Sequence, residues 1–252
     1  MNTNGLTDRL SPPSQASSVK QERANTRRVV ATTWLVVTAF LMLASLIAWP
    51  LSHHAVDWQP ALAFSQPWRA FSAAFVHYSS LHLAANVVGA LLVGVFGWAA
   101  QVPRQMALAW LLAWPLTQLG LLVQPSLLHY GGLSGVLHAG VVIVCVHLMF
   151  AGTSTQRRVG GATLFVVLAK VLLEAPWNGP LSHPADWDIA VAPMAHASGV
   201  VAGGLMGVTM SLLARNLERR NVERRNVAQR SVAQRNMAQR NTAQSSAAAR
   251  RT

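Results

Sequence analysis

Acidic residues are scarce in this 252-residue chain, and charge of either sign is low. Asp and Glu together number eight against 20 Lys and Arg, and these four residue types make up 11% of the chain. A soluble domain carries about 25% charged residues. Because the chain is also 52% hydrophobic, its composition excludes both an ordinary soluble domain and a disordered protein.

Cysteine is almost absent, since Cys145 is the only one and lies in an apolar run. A single thiol cannot form an intramolecular disulfide. The sequence also lacks the clustered Cys and His residues that form structural zinc sites. We therefore expect a protein that needs neither a metal nor a cofactor.

The basic residues are concentrated at the two ends of the chain. Residues 1–28 hold five of them and residues 215–252 hold ten, whereas the 186 residues between hold five basic and four acidic residues. The net charge of +12 is therefore mostly a property of the ends. We expect a membrane domain over residues 29–214, flanked by cytoplasmic, disordered segments at 1–28 and 215–252.

The apolar middle contains six stretches that can cross a bilayer, which requires about 20 mostly apolar residues. Lys and Arg favour the cytoplasmic side of a membrane. The N-terminal segment, the turns at 101–104 and 151–158 and the tail all carry Arg, whereas the alternate loops carry little positive charge. Both termini are therefore predicted to be cytoplasmic. The predicted spans are residues 29–49, 81–100, 105–123, 134–150, 159–175 and 189–214.

The C-terminal tail is a repeat of six pentapeptides that starts at Asn216 with NLERR and NVERR. A five-residue period matches neither the helical period of about 3.6 nor the strand period of about 2. We therefore expect a flexible or only partly helical tail. A solvated tail that fixes topology is the favoured interpretation, and binding to anionic lipid is the alternative. Nucleic-acid binding is a weaker alternative, because the tail lacks aromatic residues for base stacking.

Polar residues inside apolar spans are costly and therefore informative. Ser134 in GGLSG and His196 in AHASG both lie within the first two turns of spans that start on the same, outer side. The two side chains can therefore share one depth. Histidine can accept the proton of a serine hydroxyl and so activate it as a nucleophile. The alternative is that Ser134 only packs helices and that His196 is structural.

A third polar element lies at the start of the second span. His82 and Asn86 are four residues apart, so their side chains face the same way on a helix. Both can donate a hydrogen bond to a developing negative charge, as an oxyanion hole does.

These residues together resemble the rhomboid family of intramembrane serine proteases over residues 29–214. The string from Gly132 to His138 further resembles the bacterial rhombosortase branch, in which a histidine often follows the serine by one helical turn. Ala139 departs from that branch, which often has Gly there. The resemblance rests on Trp68–Arg69, His77, His82-x-x-x-Asn86, Gly132-x-Ser134-Gly135 and Ala195-His196-x-x-Gly199-x-x-x-Gly203.

The resemblance implies an all-α, six-helix rhomboid-like bundle and a role for each motif residue. Ser134 would be the nucleophile and His196 the general base, in a dyad without an acidic third member. His82 and Asn86 would form the oxyanion hole together with the Ser134 backbone N–H. His138 would stack on His196 and orient it.

The remaining motif residues would support this site. Trp68 and Arg69 would shape the first outer loop, and the motif glycines would allow close packing. Asp186 and Asp188 are expected to be surface charges. The other histidines, which are His53, His54, His129, His147 and His183, are expected to be loop or packing residues.

Lys170 and Glu174 lie four apart in the fifth span and also resemble the rhombosortase branch. Their order is the reverse of the favoured Glu-then-Lys order on a helix. A single charge at mid-bilayer costs about 2.5–3.5 kcal/mol on insertion scales. The two can neutralise each other, or one can pair elsewhere in the bundle. Structural pairing is favoured, and contact with substrate is the alternative, with Glu174 nearer the outer end.

The function implied by the resemblance is cleavage of membrane-anchored proteins at the outer face of a bacterial inner membrane. The rhombosortase branch implies exported substrates with a C-terminal Gly-Gly-type motif, an apolar helix and basic residues. One alternative is a non-catalytic rhomboid-like chaperone or escort, which would lack the Ser or the His. Another is a small polytopic transporter, which inverted repeats would support.

Overall fold

The computed structural model describes residues 15–249, and it describes side chains from residue 32 to residue 237. The chain divides into a first unit that ends at Gly207 and a second that begins at Val208. The expected disordered N-terminal segment lies partly outside the described residues, and its residues from 15 onward are helical.

The described part of the chain is helical apart from its connecting loops. Three 3₁₀ turns lie in these loops, at Pro60–Leu62, Ala73–Phe75 and Gly120–Val123. The eight helices are α1 (Gln15–Ala48), α2 (His53–Val56), α3 (Arg69–Ser72), α4 (Ser80–Ala99), α5 (Arg104–Leu119), α6 (Ser134–Ala151), α7 (Ser154–Leu173) and α8 (Pro193–Ala249).

Each of the six long helices overlaps one predicted span, although α1 and α8 extend well beyond theirs and α8 begins four residues later than predicted. Within the part of the chain that the structure describes, four segments are long and apolar enough to cross a membrane, namely Ser80–Ala99, Arg104–Val123, Ser134–Ala151 and Pro193–Met237. The apolar part of α1, Thr32–Ala48, is shorter. Helix α7 is continuous over its 20 residues but carries Arg157, Arg158 and Lys170, and it is not among these four segments. The predicted all-α membrane bundle is confirmed over the described residues.

Two tryptophans tie four helices together in the first unit. The rings of Trp34 on α1 and Trp110 on α5 stack with centroids 4.3 Å apart. The Trp34 indole N–H donates to the Val93 carbonyl of α4 at 3.1 Å, and that of Trp110 donates to the Val136 carbonyl of α6 at 2.7 Å. Because lipid offers no hydrogen-bond partners, these internal bonds fix the relative positions of the four helices.

Helices α6 and α8 touch through their backbones. A Cβ placed on Gly203 would lie 2.5 Å from the Ala139 carbonyl oxygen, and one placed on Gly199 would overlap the Gly135 carbonyl. Small residues at such positions are what allow helices to approach closely in a membrane. This contact sets the distance between the starts of α6 and α8.

A buried aspartate organises the loop between α1 and α4. Asp57 is completely buried, and the Arg69 Nη1 donates to its backbone carbonyl at 2.7 Å and to its Oδ1 at 3.3 Å. The next residue, Trp58, pairs through its backbone with Tyr130, just before α6. The loop is thereby attached to the segment that leads into Ser134.

The tail in the second unit continues as helix to Ala249, which differs from the expected flexible or partly helical tail. Residues 216–249 contain no Gly or Pro and many Ala, Arg and Gln residues, which favour helix. At about 100° per residue, a five-residue step turns each apolar side chain by about 140°. No continuous apolar face results, and the repeat's apolar side chains between Leu217 and Met237 are 50–66% exposed.

Candidate active site

Ser134 and His196 meet at the starts of two packed helices. Ser134 is the first residue of α6, and His196 lies in the first turn of α8. The Ser134 Oγ lies 3.0 Å from the His196 Nε2. His196 is only 6% exposed. This is the hydrogen bond a base needs to take the hydroxyl proton.

The other ring nitrogen of His196 contacts Glu174, the member of the Lys170–Glu174 pair that was expected to lie nearer the outer end of its span. The His196 Nδ1 lies 2.7 Å from the Glu174 Oε2. The expectation that His196 has no acidic partner is therefore corrected. Glu174 directly follows α7, so its side chain reaches across to α8 from the end of the neighbouring helix.

Lys170 lies between Glu174 and two histidines. Its Nζ is 2.8 Å from the Glu174 Oε1, 3.0 Å from the His138 Nε2 and 2.9 Å from the His196 Nδ1. The Lys170–Glu174 ion pair thus has the i, i+4 spacing considered from the sequence. The Lys170 ammonium also contacts His138 and His196. The two charges therefore neutralise each other and also pair elsewhere in the bundle, which are the two alternatives considered from the sequence.

His138 lies one helical turn after Ser134. Its Nδ1 is 2.7 Å from the Ser134 carbonyl oxygen. The His138 and His196 rings stack, with centroids 4.3 Å apart and planes at 21°. This is the stacking that the family resemblance implied.

His82 and Asn86 project from the start of α4 as buried side chains, 7% and 4% exposed. The N-cap Ser79 Oγ accepts a hydrogen bond from the His82 backbone N–H at 3.1 Å. The His82 Nδ1 and the Asn86 Nδ2 have no protein partner. A buried polar atom without a partner costs about 1–3 kcal/mol, so each of these two side chains retains an unmet hydrogen-bonding capacity.

These residues line one cavity of about 480 Å³. Its wall includes Ser134, His196, His82, Asn86, His138, Lys170 and Glu174. The loop between α7 and α8 also lines it, through Trp187 among others, and is closed by a backbone pair between Ser182 and Val191. The polar residues chosen from the sequence therefore share one cavity.

Gly132 occupies a position where other residues are strained. Its φ is +142°, a region that side chains disfavour. A Cβ there would also lie 2.9 Å from the His82 Nε2. The Gly132 backbone N–H donates to the Ala73 carbonyl at 2.9 Å. Glycine therefore lets this turn bring Ser134 close to His82.

Two residues outside the helices support the cavity. His77 is almost completely buried, and burial lowers its pKa to about 4 even though its Nδ1 contacts the Phe75 carbonyl. Its ring packs edge-on against His82 at 4.9 Å. The Tyr130 hydroxyl donates to the Gly132 carbonyl, and burial raises the pKa of Tyr130 to about 12. Both are neutral at neutral pH.

One cluster next to the cavity, whose wall includes its member His129, has residue types that can ligate a metal. Ligand atoms of His54, Asp57 and His129 lie within 4.8 Å of one another, and the His129 Nδ1 is 2.8 Å from the Asp57 Oδ2. Arg69 already balances the Asp57 charge at 3.3 Å, and Tyr78 also donates to this carboxylate. The cluster is better explained as a hydrogen-bonded centre of the loop than as a cation site.

His54 and His129 were expected to be ordinary loop residues, and no pattern in the sequence indicates the centre that they form with Asp57. The predicted role of Trp68 and Arg69 in shaping the loop agrees with the contacts of Arg69, whose guanidinium lies 4.9 Å from the Trp68 ring. His147 is half-buried on α6, and His183 is exposed.

The fold and cavity define a polytopic helical membrane protein in which a serine and a histidine meet where two packed helices begin. The sequence model of the rhomboid domain matches residues 65–213, which is more than half of the chain. This chain belongs to the rhomboid family, a family of intramembrane serine proteases that act on membrane proteins within the bilayer. No curated protein matches it.

Proposed function

We propose that this protein is an intramembrane serine endopeptidase with Ser134 as nucleophile and His196 as general base. The observation that carries the proposal is the 3.0 Å contact between the Ser134 Oγ and the His196 Nε2. The contact lies in a cavity that His82 and Asn86 also line, and each of these side chains carries a buried nitrogen without a protein partner. Gly135, Gly199 and Gly203 support it by letting the two helices touch.

The reaction divides into two steps. The Ser134 Oγ attacks the scissile carbonyl as its proton passes to the His196 Nε2. His196 then gives that proton to the leaving amine as the C–N bond breaks, which leaves an acyl-enzyme. Water attacks the ester by the same route in reverse. His82 and Asn86 would stabilise the oxyanion, and losing one such donor costs about 2.7–4 kcal/mol.

The location and substrates follow from charge and resemblance. The Arg residues of the ends and of the inner turns favour cytoplasmic termini, which would place the cavity on the periplasmic side of a bacterial inner membrane. The substrates would be membrane-anchored proteins with a single apolar helix. Resemblance to the rhombosortase branch suggests exported proteins with C-terminal Gly-Gly-type anchors.

Labelling with a fluorophosphonate probe tests the proposed nucleophile. The wild-type protein in detergent should become covalently labelled, Ser134→Ala should not, and His196→Ala should be labelled about 10²–10⁴-fold more slowly. Ser198→Ala is the matched control, because Ser198 also lies near the start of α8 but donates to the Thr117 carbonyl at 2.7 Å. Labelling that persists in Ser134→Ala, or that is lost in Ser198→Ala, would overturn the assignment.

Co-expression tests the proposed substrate class. A reporter carrying a Gly-Gly-type motif, an apolar helix and a basic end should be released by the wild type and retained by Ser134→Ala. A matched reporter with the motif changed to Ala-Ala separates recognition of the motif from cleavage of any single-span protein. Equal release of both reporters would contradict the Gly-Gly-type preference while leaving the protease proposal intact.

A further inference from the structure

A ring of hydrogen bonds begins at the Ser134 hydroxyl and ends at the backbone carbonyl of the same residue. It runs from the Ser134 Oγ to His196, then through Glu174, Lys170 and His138 to the Ser134 carbonyl, with distances of 2.7–3.0 Å. We propose that Glu174, held by Lys170, is the third member of a catalytic triad and positions His196. This proposal rests on the proposed function and adds positioning residues to it.

The chemistry of each partner assigns the protons in this ring. The Ser134 carbonyl can only accept, so the His138 Nδ1 donates to it and the His138 Nε2 accepts from Lys170. Lys170 donates also to the Glu174 Oε1. The ionised Glu174 Oε2 can only accept, so the His196 Nδ1 carries a proton. The His196 Nε2 is then unprotonated and faces the Ser134 hydroxyl, which is the tautomer that a general base needs.

The 2.9 Å approach of the Lys170 Nζ to the His196 Nδ1 is then a contact between two donors that share Glu174. The contact arises because the Lys170 ammonium group lies beside the Glu174 carboxylate, 2.8 Å from its Oε1. Lys170 would keep Glu174 ionised and fix one of its oxygens, which leaves the other oxygen aimed at His196.

The same ring stabilises the charge that proton transfer creates. When the Ser134 proton reaches the Nε2, the imidazole of His196 becomes positively charged in a largely buried site. A carboxylate 2.7 Å from the opposite nitrogen stabilises that charge, as the acid of a serine protease triad does without itself taking the proton. Without Glu174, Lys170 would leave an uncompensated positive charge beside the imidazolium.

Local preferences oppose this position of Glu174. It directly follows the last residue of α7, where the helix dipole disfavours an anion, and its order after Lys170 is the less favourable one. Ala175 then adopts a φ of +46°, a left-handed conformation that costs a non-Gly residue about 1–2 kcal/mol. Positions that break several local rules at once are typical of functional sites.

An ion pair that merely neutralises two charges in the membrane would not need this geometry. Lys170 and Glu174 satisfy each other through one oxygen at 2.8 Å. The second Glu174 oxygen instead contacts His196. The Lys170 ammonium also donates to His138. The double variant Lys170→Met/Glu174→Leu separates the two explanations, because it removes both charges together and leaves none unpaired.

The experiment measures the two constants of fluorophosphonate labelling, the maximal rate and the half-saturating probe concentration. In this reaction the Ser134 oxygen bonds to phosphorus, fluoride leaves and His196 takes the hydroxyl proton. Glu174→Gln should lower the maximal rate by about 10²-fold or more, with the buried-triad loss of about 10⁴ as the upper bound. The half-saturating concentration should stay unchanged, and Glu174→Asp should recover part of the rate.

The double variant should fold like the wild type and stay slow, and Lys170→Met should fall between the wild type and Glu174→Gln. Asp186→Asn is the control, because Asp186 is an exposed carboxylate of the same loop. A wild-type maximal rate in Glu174→Gln, or recovery of that rate in the double variant, would overturn the proposal.

Nitrogen-15 NMR of histidine-labelled protein gives a readout that does not depend on activity. The wild type should show His196 with a protonated Nδ1 in a strong hydrogen bond, assigned by its loss in His196→Ala. This resonance should shift in Glu174→Gln and persist in Asp186→Asn. Failure of Ser134 labelling with this signature intact would refute the proposed function alone. An Nδ1 signal that does not respond to Glu174→Gln would refute the proposed triad alone.

Discussion

Replacing Gly203 by Ala tests whether backbone contact between α6 and α8 sets the Ser134–His196 distance. The new Cβ would lie 2.5 Å from the Ala139 carbonyl oxygen and 2.7 Å from the Ala139 Cα. Ordinary contact begins near 3.4 Å. The obstacle is backbone, which cannot rotate away, so the helices must separate locally by about 0.9 Å.

This separation is large enough to break the hydrogen bond between Ser134 and His196. The Ser134 Oγ and His196 Nε2 are 3.0 Å apart, and a displacement of this size would place them beyond hydrogen-bond range. A misplacement of about 1 Å can cost about 10²-fold in rate. Gly203 lies two turns from His196, so part of the shift will be absorbed, and we expect labelling by a fluorophosphonate to slow by roughly 10- to 100-fold.

Gly204→Ala is the matched control on the same helix. A Cβ on Gly204 meets only a Val142 methyl group, at 3.9 Å. Gly204→Ala should therefore keep the wild-type labelling rate and melt at the same or a higher temperature, because Ala favours helix over Gly by about 1 kcal/mol. Overpacking in Gly203→Ala should lower stability by about 1–3 kcal/mol. Equal labelling rates in the two variants would refute the reasoning.

Three further predictions concern other parts of the site. Asn86→Ala should lower kcat by about 10²–10³-fold with little change in KM, and an unchanged kcat would argue against an oxyanion role. Gly132→Ala should slow labelling and lower the melting temperature, because it places a Cβ at φ +142° and 2.9 Å from the His82 Nε2; wild-type behaviour would show that this turn adapts. His77→Phe should reduce the loss of stability on acidification. The pKa of His77 falls from 6.5 to about 4 on folding, so the unfolded chain takes up a proton that the folded chain refuses. Stability is then lost as the pH falls from 6.5 to 4, by about 3 kcal/mol for this group. Thermal melts at pH 7 and pH 4 measure the effect, and equal losses in wild type and variant would contradict it.

Simple periodic quantities predict the helices and the shared outer depth of Ser134 and His196, whereas the pairing of these two residues is implied by the family resemblance. Apolar length fixes a span, and counting residues from each span start fixes depth. The contact between Glu174 and His196 could not be predicted in this way. It depends on where α7 ends and on the direction of a side chain beyond its last turn, and the left-handed Ala175 carries no sequence signal.

The Asp57 centre and the tail were missed for different reasons. Asp57 contacts Arg69 and His129, which lie 12 and 72 residues further along the chain, and loop geometry has no period that a sequence displays. The helical tail was not predicted because its five-residue repeat does not match the helical period, even though its individual residues have high helix propensity. Repeat length predicts whether an apolar face forms, and individual propensity predicts whether a helix forms.

The distribution of paired and unpaired polar atoms around the cavity supports the proposed reaction. A membrane interior offers no water to complete hydrogen bonds, so polar side chains there should be paired internally. Lys170, Glu174, His138 and His196 are paired, each with at least two partners. Of the described residues that carry a buried side-chain atom without a partner, only His82 and Asn86 line the cavity. In the proposed mechanism these two side chains would supply the oxyanion donors, so the groups that hold the base would be satisfied before the reaction and the oxyanion donors only during it.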